Sequence, residues 1–502
     1  MAKYLIIFGI VAFTTIATAN PWFSWGYPPQ SASGDECTIA IIFGWATSDG
    51  RPLMWKNRDV SNWHQEFHHY DLQPYSFTAV NYPFVQYEAE AYGGVNEVGF
   101  GIMNANALNF TDPPGYDDDG IIMYHSLLTC ETVEDFLGYM DTTAYIGRTR
   151  PAIYGVFDAY GDAGMLEASQ YDNYWYGADS TVDGVMVRSN FAYSGGNYSS
   201  TLQFRHDQAL EFIQGAVAGD SLNIRFLFDV VARDLRTEEV DPYPLPYQGF
   251  YLHGTDTLWH CVRDHTAINR EISQSAFVVQ GIGEGENPLT ATIWAMCGEP
   301  EMTPALPLWV AAGSVPAAME GDVNGGPICL RARQLFDYLY YPFPDPYDDI
   351  IDTYKLMNDS GEGILVEIRG LESGYFDYVE ARVEEWRVSF PSVEEIAGLQ
   401  DSLASYVFQK MMEPSLVDDL ILQFNDEGDL QLYWSPVVTS VITDSIIVDG
   451  YVIYFGGGYS GGALGDSLGF TTDTTFIPPI STIPASAFYQ VRALWDNELS
   501  GD

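Results

Sequence analysis

Apolar residues recur along this chain with two periods, and the two alternate in blocks. An apolar run from Thr38 to Trp45 reads as a strand. Ser48-Asp49-Gly50 follows as a turn, and Pro52 to Asn57 reads as the return strand of a hairpin. Further strand patterns fall at Ala91–Ile102, Ala152–Phe157, Gly164–Glu167 and Val185–Phe191. Helical spacing takes over at Ile122–Leu128, Val133–Met140, Thr201–Gln214 and Leu222–Asp234. Strand blocks separated by helical blocks predict an α+β arrangement, not a repeated βαβ unit. Ala276–Gln280 and Thr290–Ala295 add strands, and Pro and Gly punctuate Gly298–Pro307. Residues 373–412 read as helical, with Tyr378, Val379, Ala381, Val383 and Trp386 on an apolar face.

The pattern changes again near Pro414. Short alternating strands are expected at Leu420–Phe424, Leu430–Trp434, Gly450–Phe455 and Phe488–Leu494, between loops rich in Gly, Ser, Thr and Pro. Strands of this length and spacing predict an all-β sandwich over 414–502. At the other end, Lys3, the apolar stretch Leu5 to Ile16 and Ala17-Thr18-Ala19 read as a secretory signal over 1–19. The mature start is then expected near Asn20, in an exported, soluble protein. Residues 20–36 have no periodic pattern and read as a leader. No later segment is long and apolar enough to span a bilayer.

The chain has 502 residues, which predicts two or more domains. Its 69 acidic residues against 21 basic ones give a formal charge of −48, which repels nucleic acid and anionic membranes. Aromatic content of 15% with 47% hydrophobic residues marks a folded chain. Cys37, Cys130, Cys261, Cys297 and Cys329 are widely spaced and form no CxxC or Cys/His cluster. Some of the last four are candidates for pairing in an exported protein, and Cys37 is the candidate free thiol. His64, His68 and His69, and the run Asp117-Asp118-Asp119, lack ligand spacing, so no metal and no cofactor are expected.

Cys37 opens a predicted strand directly behind the leader. Cleavage of Glu36-Cys37 would give one residue both a thiol nucleophile and a free α-amine to act as its base. An unperturbed α-amine has a pKa of about 7.7–8.0, close to the working range of a general base.

The run Cys37-Thr38, Asp49-Gly50, Lys56-Asn57-Arg58-Asp59 resembles the cysteine-type N-terminal-nucleophile hydrolases acting on linear amides. That group includes choloylglycine hydrolases, penicillin V acylases, isopenicillin-N acyltransferases and related secreted dipeptidases. Asn57 and Asp59 fit the family's Arg-Asn-x-Asp element. Lys56 stands where Arg is usual, so Lys56 or Arg58 supplies the positive charge toward substrate. Gly94-Val95-Asn96-Glu97-Val98-Gly99-Phe100-Gly101-Ile102 is a second match. The resemblance makes Asn104 or Asn106, with Asn106 preferred, the side-chain donor of the oxyanion hole; Asn96 and Glu97 read as a structural turn and are left out of the catalytic set. Ser189-Asn190-Phe191 and the helix start before Arg205 are further matches, which carry Asn190 and Arg205 over as catalytic.

The resemblance spans roughly 37–330. It implies a four-layer αββα fold for 37–334, with a helical extension over 335–413. It also implies Cys37 as nucleophile, Asp59 orienting its amine, and a small-molecule amide as substrate. Trp434, Tyr451 and the run Phe488–Ala493 resemble strands of a fibronectin type III module, a docking element for a surface, a polysaccharide or a protein. An acyltransferase or a secreted dipeptidase of the same fold, and a non-catalytic exported binding protein, are the alternative readings. The aromatic stretch Tyr171 to Tyr176 is expected to pack rather than to wall a pocket.

Overall fold

The computed structural model describes residues 36–83, 89–111, 118–321, 325–341, 349–412, 420–424, 430–437, 448, 450–456, 466–477, 488–495 and 498–499. The expected signal and leader, up to residue 35, and Asp117 lie outside the described residues.

The first strands in chain order are β1 (Glu36–Ile42), β2 (Leu53–Asp59), β3 (Glu66–Tyr70), β4 (Phe77–Asn81), β5 (Gly93–Asn96), β6 (Gly101–Asn106), β7 (Ala152–Phe157), β8 (Ala163–Ala168), β9 (Asn173–Tyr176) and β10 (Val185–Arg188). Then follow β11 (Phe250–His253), β12 (Asp256–Trp259), β13 (Cys261–Arg263), β14 (Ser273–Gln280), β15 (Thr292–Met296) and β16 (Leu306–Leu308). One sheet runs β10-β1-β2-β14-β15-β16, and a second is the meander β3 to β9 in chain order. Every pairing in both is antiparallel.

The sheets stack, with β1 and β2 against β6 and β7. Helices α1 (Asp119–Thr129) and α2 (Val133–Ile146) cover the far face of the meander. The far face of the first sheet carries α3 (Ser200–Ala218) and the short α4 (Ile224–Phe226) with the π-helical turn Leu227–Ala232 behind it. Farther along the chain come α5 (Pro327–Leu339), α6 (Thr353–Leu356), α7 (Ile364–Val388) and α8 (Val393–Met412). Phe376 of α7 stacks on Trp294 of β15 at 4.2 Å, and α8 lies against β16. The order is helix, sheet, sheet, helix. It explains why β1 runs apolar from Ile39 to Ile42 instead of alternating: from Cys37 to Ile42 every residue is buried, with a sheet on one side and helices on the other.

The β1–β2 hairpin turns at Ser48 and Asp49, with Gly50 at φ +75°, where its sequence predicts, but the first strand ends sooner than Trp45. β1 stops at Ile42, and a 3-10 turn, Gly44–Ala46, begins a longer connection. Gly44 is required there, because a Cβ would meet the Gly50 carbonyl oxygen at 2.4 Å. The region Ala91–Ile102 is likewise two strands, β5 and β6, and Gly99 turns between them at φ +83°. The predicted helix over 373–412 is two helices: α7 ends at Val388, and Pro391 separates it from α8. On α7 the buried stripe is Val379, Val383 and Trp386, while Tyr378 and Ala381 are exposed. β3 and β4 carry no clean alternation and were not predicted. All five cysteines are buried free thiols, so the expected pairing among the last four is not present.

In the C-terminal region, Ile421–Phe424, Leu430–Tyr433 and Thr475–Phe476 form one small sheet. Asp466–Thr471, Gly450–Gly456, Phe488–Trp495 and Glu498–Leu499 form another. Leu432, Trp434, Tyr451, Ile453, Val491 and Ala493 are buried together, with the Trp434 and Tyr451 rings 5.2 Å apart. Among the described residues no helix is long and apolar enough to cross a membrane.

Candidate active site

Register places the chemistry. β1 pairs with β2 so that Cys37 lies opposite Arg58, Ile39 opposite Lys56, Glu36 opposite Asp59 and Thr38 opposite Asn57. Directly paired residues share a face and successive ones alternate. Cys37, Arg58 and Lys56 therefore share the face toward the meander. Glu36, Asp59 and Asn57 share the face toward the helices.

On the meander side, the Cys37 thiol is buried, and burial pushes its pKa up. The Lys56 charge pulls the other way. Lys56 is 1% exposed and donates from Nζ to the Tyr92 carbonyl at 2.9 Å and to Asn104 Oδ1 at 2.6 Å. Asn104 Nδ2 in turn donates to Asp119 Oδ2 at 2.5 Å, so both ends of this amide are engaged. The Arg58 guanidinium lies between the Tyr82 and Tyr92 rings, 4.4 and 4.3 Å from their centres, and its Nη1 donates to Gln65 Oε1 at 2.6 Å. The two candidate substrate-side cations are thus held within the protein.

At the start of β1, the Cys37 backbone N–H donates to Asn190 Oδ1 at 2.7 Å. Asn190 follows β10 and faces the end of β6. Its Nδ2 donates to the Asn106 carbonyl at 3.2 Å, and its own carbonyl accepts from the Leu108 N–H at 3.0 Å. Asn106 is thereby placed beside Cys37 through Asn190, whereas Asn104 is tied to Lys56 and Asp119.

The helix-facing side holds a compact ionic cluster. Asp59 Oδ2 accepts from Arg205 Nη1 and from Arg270 Nε, both at 3.0 Å, and Asp59 Oδ1 accepts from Ser273 Oγ at 2.7 Å. Glu36 Oε2 accepts from Arg205 Nη2 at 2.7 Å and from Arg270 Nη2 at 2.6 Å. Burial pushes the Asp59 carboxyl above its ordinary value, against the pull of Arg270 and Arg205. Burial also acts to raise Glu36, but Arg270 and Arg205 outweigh it and hold its carboxyl below the usual range. Asn57 serves the scaffold: its Nδ2 donates to the Ala232 carbonyl at 2.8 Å and ties β2 to the π-helical turn.

The sequence reading did not find Arg270 or Ser273. Ser273 meets Asp59 through a bulge: the β14–β2 register shifts between Ser273 and Ser275. Neither residue sits in a motif. The available signal was the scarcity of basic residues, since an arginine just ahead of a buried apolar strand in so acidic a chain requires a partner. Asn96 is the structural residue expected, donating to the Leu127 and Cys130 carbonyls at 2.9 and 2.8 Å and accepting from the Phe100 N–H at 2.9 Å.

A cavity of about 530 Å3 opens between Glu66, His68, Tyr70, Asn81, Tyr82 and Glu320. Cys37 does not line it. It adjoins Arg58 through Tyr82, whose ring covers the guanidinium.

No family model matches this chain, and no curated protein does. Solved structures similar to it include penicillin V acylase from Agrobacterium tumefaciens, at 12% identity and a TM-score of 0.34, covering 54% of this chain and 86% of that one. They also include two variants of conjugated bile acid hydrolase from Clostridium perfringens. One is 12% identical over 58% of this chain and 95% of that one, the other 10% identical over 58% and 94%, and both have a TM-score of 0.36.

Proposed function

We propose that this chain is an exported amidohydrolase that matures by cleaving its own Glu36–Cys37 bond and then uses Cys37 as an N-terminal nucleophile on a linear amide. The observation that carries the reading is the contact between the Cys37 backbone nitrogen and Asn190 Oδ1 at 2.7 Å. An acceptor built to receive that N–H is also placed to orient the amine that cleavage would create.

In maturation, the Cys37 thiol loses its proton and Sγ attacks the Glu36 carbonyl carbon. The C–N bond breaks as the Cys37 nitrogen takes up a proton, leaving Glu36 as a thioester on Cys37. Water hydrolyses the thioester, releasing the Glu36 carboxylate and restoring the thiol. In turnover, the free amine takes the thiol proton, Sγ attacks the substrate carbonyl, and the protonated amine delivers its proton to the leaving nitrogen. Asp59 and Arg205 hold the strand end that presents the amine. Asn106, with Asn190, is the proposed oxyanion donor, and loss of one such donor costs about 3 kcal/mol of transition-state stabilisation. Water then hydrolyses the thioester, releasing the acid and restoring the thiol; an acyltransferase would pass the acyl group to an amine instead, and a dipeptidase would use water too and differ in its substrate. The C-terminal strands, with Trp434 packed on Tyr451, are proposed to be a fibronectin type III-like docking module.

Intact mass and N-terminal sequencing of the exported protein, beside Cys37→Ala, test this. A wild-type chain beginning at Cys37, with the variant keeping its leader, is the expected result. Amide hydrolysis by the processed chain, followed by amine release, completes it. Both chains beginning near Asn20 would sink the reading and leave a binding protein in its place.

A further inference from the structure

The ionic cluster behind Cys37 changes its charge when Glu36 leaves. In the uncleaved chain two guanidinium groups, Arg205 and Arg270, are each paired with two carboxylates, Glu36 and Asp59, and the Glu271 carboxylate also acts on Arg270. The arginine side chains are 0% and 7% exposed, Asp59 is 0% and Glu36 is 19%. Arginine does not give up its proton in proteins, so this charge cannot be relieved by titration. Once Glu36 is gone, the Nη2 groups of Arg205 and Arg270 lose the carboxylate oxygen they share at 2.7 and 2.6 Å. Two buried guanidinium groups that have lost a shared carboxylate then stand behind the start of β1. Both arginines keep Asp59, but each loses its shortest bond from Nη2, and a buried charged donor left short of an acceptor is costly, so the vacated position is fitted for another anion.

Building on the self-cleavage proposed above, we infer that Arg205 and Arg270 form a carboxylate subsite. Glu36 fills it in the precursor, and a carboxylate on the acyl part of the amide substrate fills it in the mature protein. Two convergent guanidinium groups suit a carboxylate, which has a second oxygen to offer. Glu36 is itself the acyl group of the first reaction at Cys37, and its side-chain carboxylate stands at the same reach from its carbonyl carbon as the far carboxylate of a glutaryl group. The substrate class is therefore an acidic acyl amide of glutaryl or glutamyl type.

Two measurements separate this inference from the hydrolase reading. The first is glutarate binding by calorimetry to four proteins: the processed wild type, Cys37→Ala, Cys37→Ala/Glu36→Ala, and the latter with Arg270→Gln added. Circular dichroism serves as the fold control. Binding to the processed wild type and the double variant is expected. Cys37→Ala, in which Glu36 still occupies the arginines, should bind at least tenfold more weakly, as should the Arg270→Gln triple variant. If the double variant does not fold, the processed wild type decides. If the wild type is not processed, the double variant decides, and only the maturation reading fails. Absence of glutarate binding in every folded form overturns the subsite. The second measurement compares kcat/KM for a glutaryl amide and the uncharged valeryl amide of the same amine. At least a tenfold preference for glutaryl is expected. Equal rates would overturn the subsite and leave the amidohydrolase standing. Glutarate binding without turnover of either amide would support the subsite and count against the amidohydrolase.

Discussion

Cys37 and Asn190 are 153 positions apart in the chain, yet the backbone nitrogen of the first lies 2.7 Å from the side-chain oxygen of the second. β1 and β10 are antiparallel neighbours, with Ile39 opposite Arg188. Continuing that register carries the residues just past β10 toward the start of β1. Asn190 also receives Arg205 Nη2 at 3.4 Å and gives its own Nδ2 to the Asn106 carbonyl. One amide thus joins the nucleophile's nitrogen, the ionic cluster and the end of the second sheet.

Asn190→Ala removes the acceptor and the link to β6 together. Self-cleavage is expected to slow about a hundredfold, the scale of losing one oriented donor or acceptor at a reacting centre. A time course of intact mass after translation reads this directly. Cleavage at the wild-type rate would remove Asn190 from the mechanism.

The pH dependence of self-cleavage should differ from that of turnover. Burial raises the Cys37 thiol above the ordinary cysteine value of about 8.5, so the thiolate is a minor species at neutral pH. Below its pKa the thiolate fraction grows about tenfold per pH unit, and the cleavage rate should grow with it and show no plateau below about pH 8.5. After cleavage the α-amine becomes the base, and turnover should level off near its own pKa of about 7.7–8.0 or lower. Rates for both steps between pH 6 and 9 test the separation. A plateau of self-cleavage near pH 6 would mean that the thiol is not the group that ionises.

Those two steps rest on residues that were readable to different degrees. Cys37, Asp59, Asn106 and Asn190 stand at strand ends or just beyond them, and the strands carry enough apolar pattern to be placed to within a few residues. Lys56 and Arg58 were also readable as positions, but their surroundings were not. The partners that enclose them, Asn104, Gln65, Tyr82 and Tyr92, come from the meander, whose β3 and β4 have no clean alternation. Ser273 was invisible because it meets Asp59 beside a bulge in β14, which leaves no periodic trace, and Arg270, just ahead of that strand, sits in no motif. The hairpin turn at Ser48-Asp49-Gly50 was legible, but the end of its first strand was not, because the 3-10 turn Gly44–Ala46 ends the strand while the apolar run continues to Trp45.

Lys56 offers a test in which stability and chemistry can be separated. Its buried ammonium supplies the Tyr92 carbonyl and Asn104 Oδ1. Lys56→Met leaves both acceptors without that donor and should cost about 2–4 kcal/mol of unfolding free energy. It also removes the charge that most lowers the Cys37 thiol pKa, so self-cleavage at pH 7 should slow and its pH profile move upward. Lys56→Arg keeps the charge in a different shape. It should restore the pH profile more fully than the stability, a split that denaturant melts and cleavage rates measured on the same samples resolve.

The Arg188–Glu167 pair is expected to hold the loop that carries Asn190. Arg188 Nε donates to Glu167 Oε1 at 2.8 Å, with the two side chains 4% and 0% exposed. Glu167, on β8 of the second sheet, also accepts from the Tyr193 N–H at 2.9 Å and the Ser194 N–H at 2.8 Å. The Tyr193 ring lies 3.5 Å from the Arg188 guanidinium. Arg188→Leu strips the counter-ion from a buried carboxylate and should cost about 3–5 kcal/mol. Adding Glu167→Gln to it removes the stranded charge; the amide oxygen keeps one of the two loop N–H groups and its NH2 faces the other, so the double variant should recover part of the stability that Arg188→Leu loses. Urea midpoints for wild type, both single variants and the pair measure the coupling. Self-cleavage should follow the same order, because Asn190 reaches Cys37 only while this loop is held. A double variant no more stable than Arg188→Leu would show that the lost packing on Tyr193, and not the unpaired carboxylate, sets the cost.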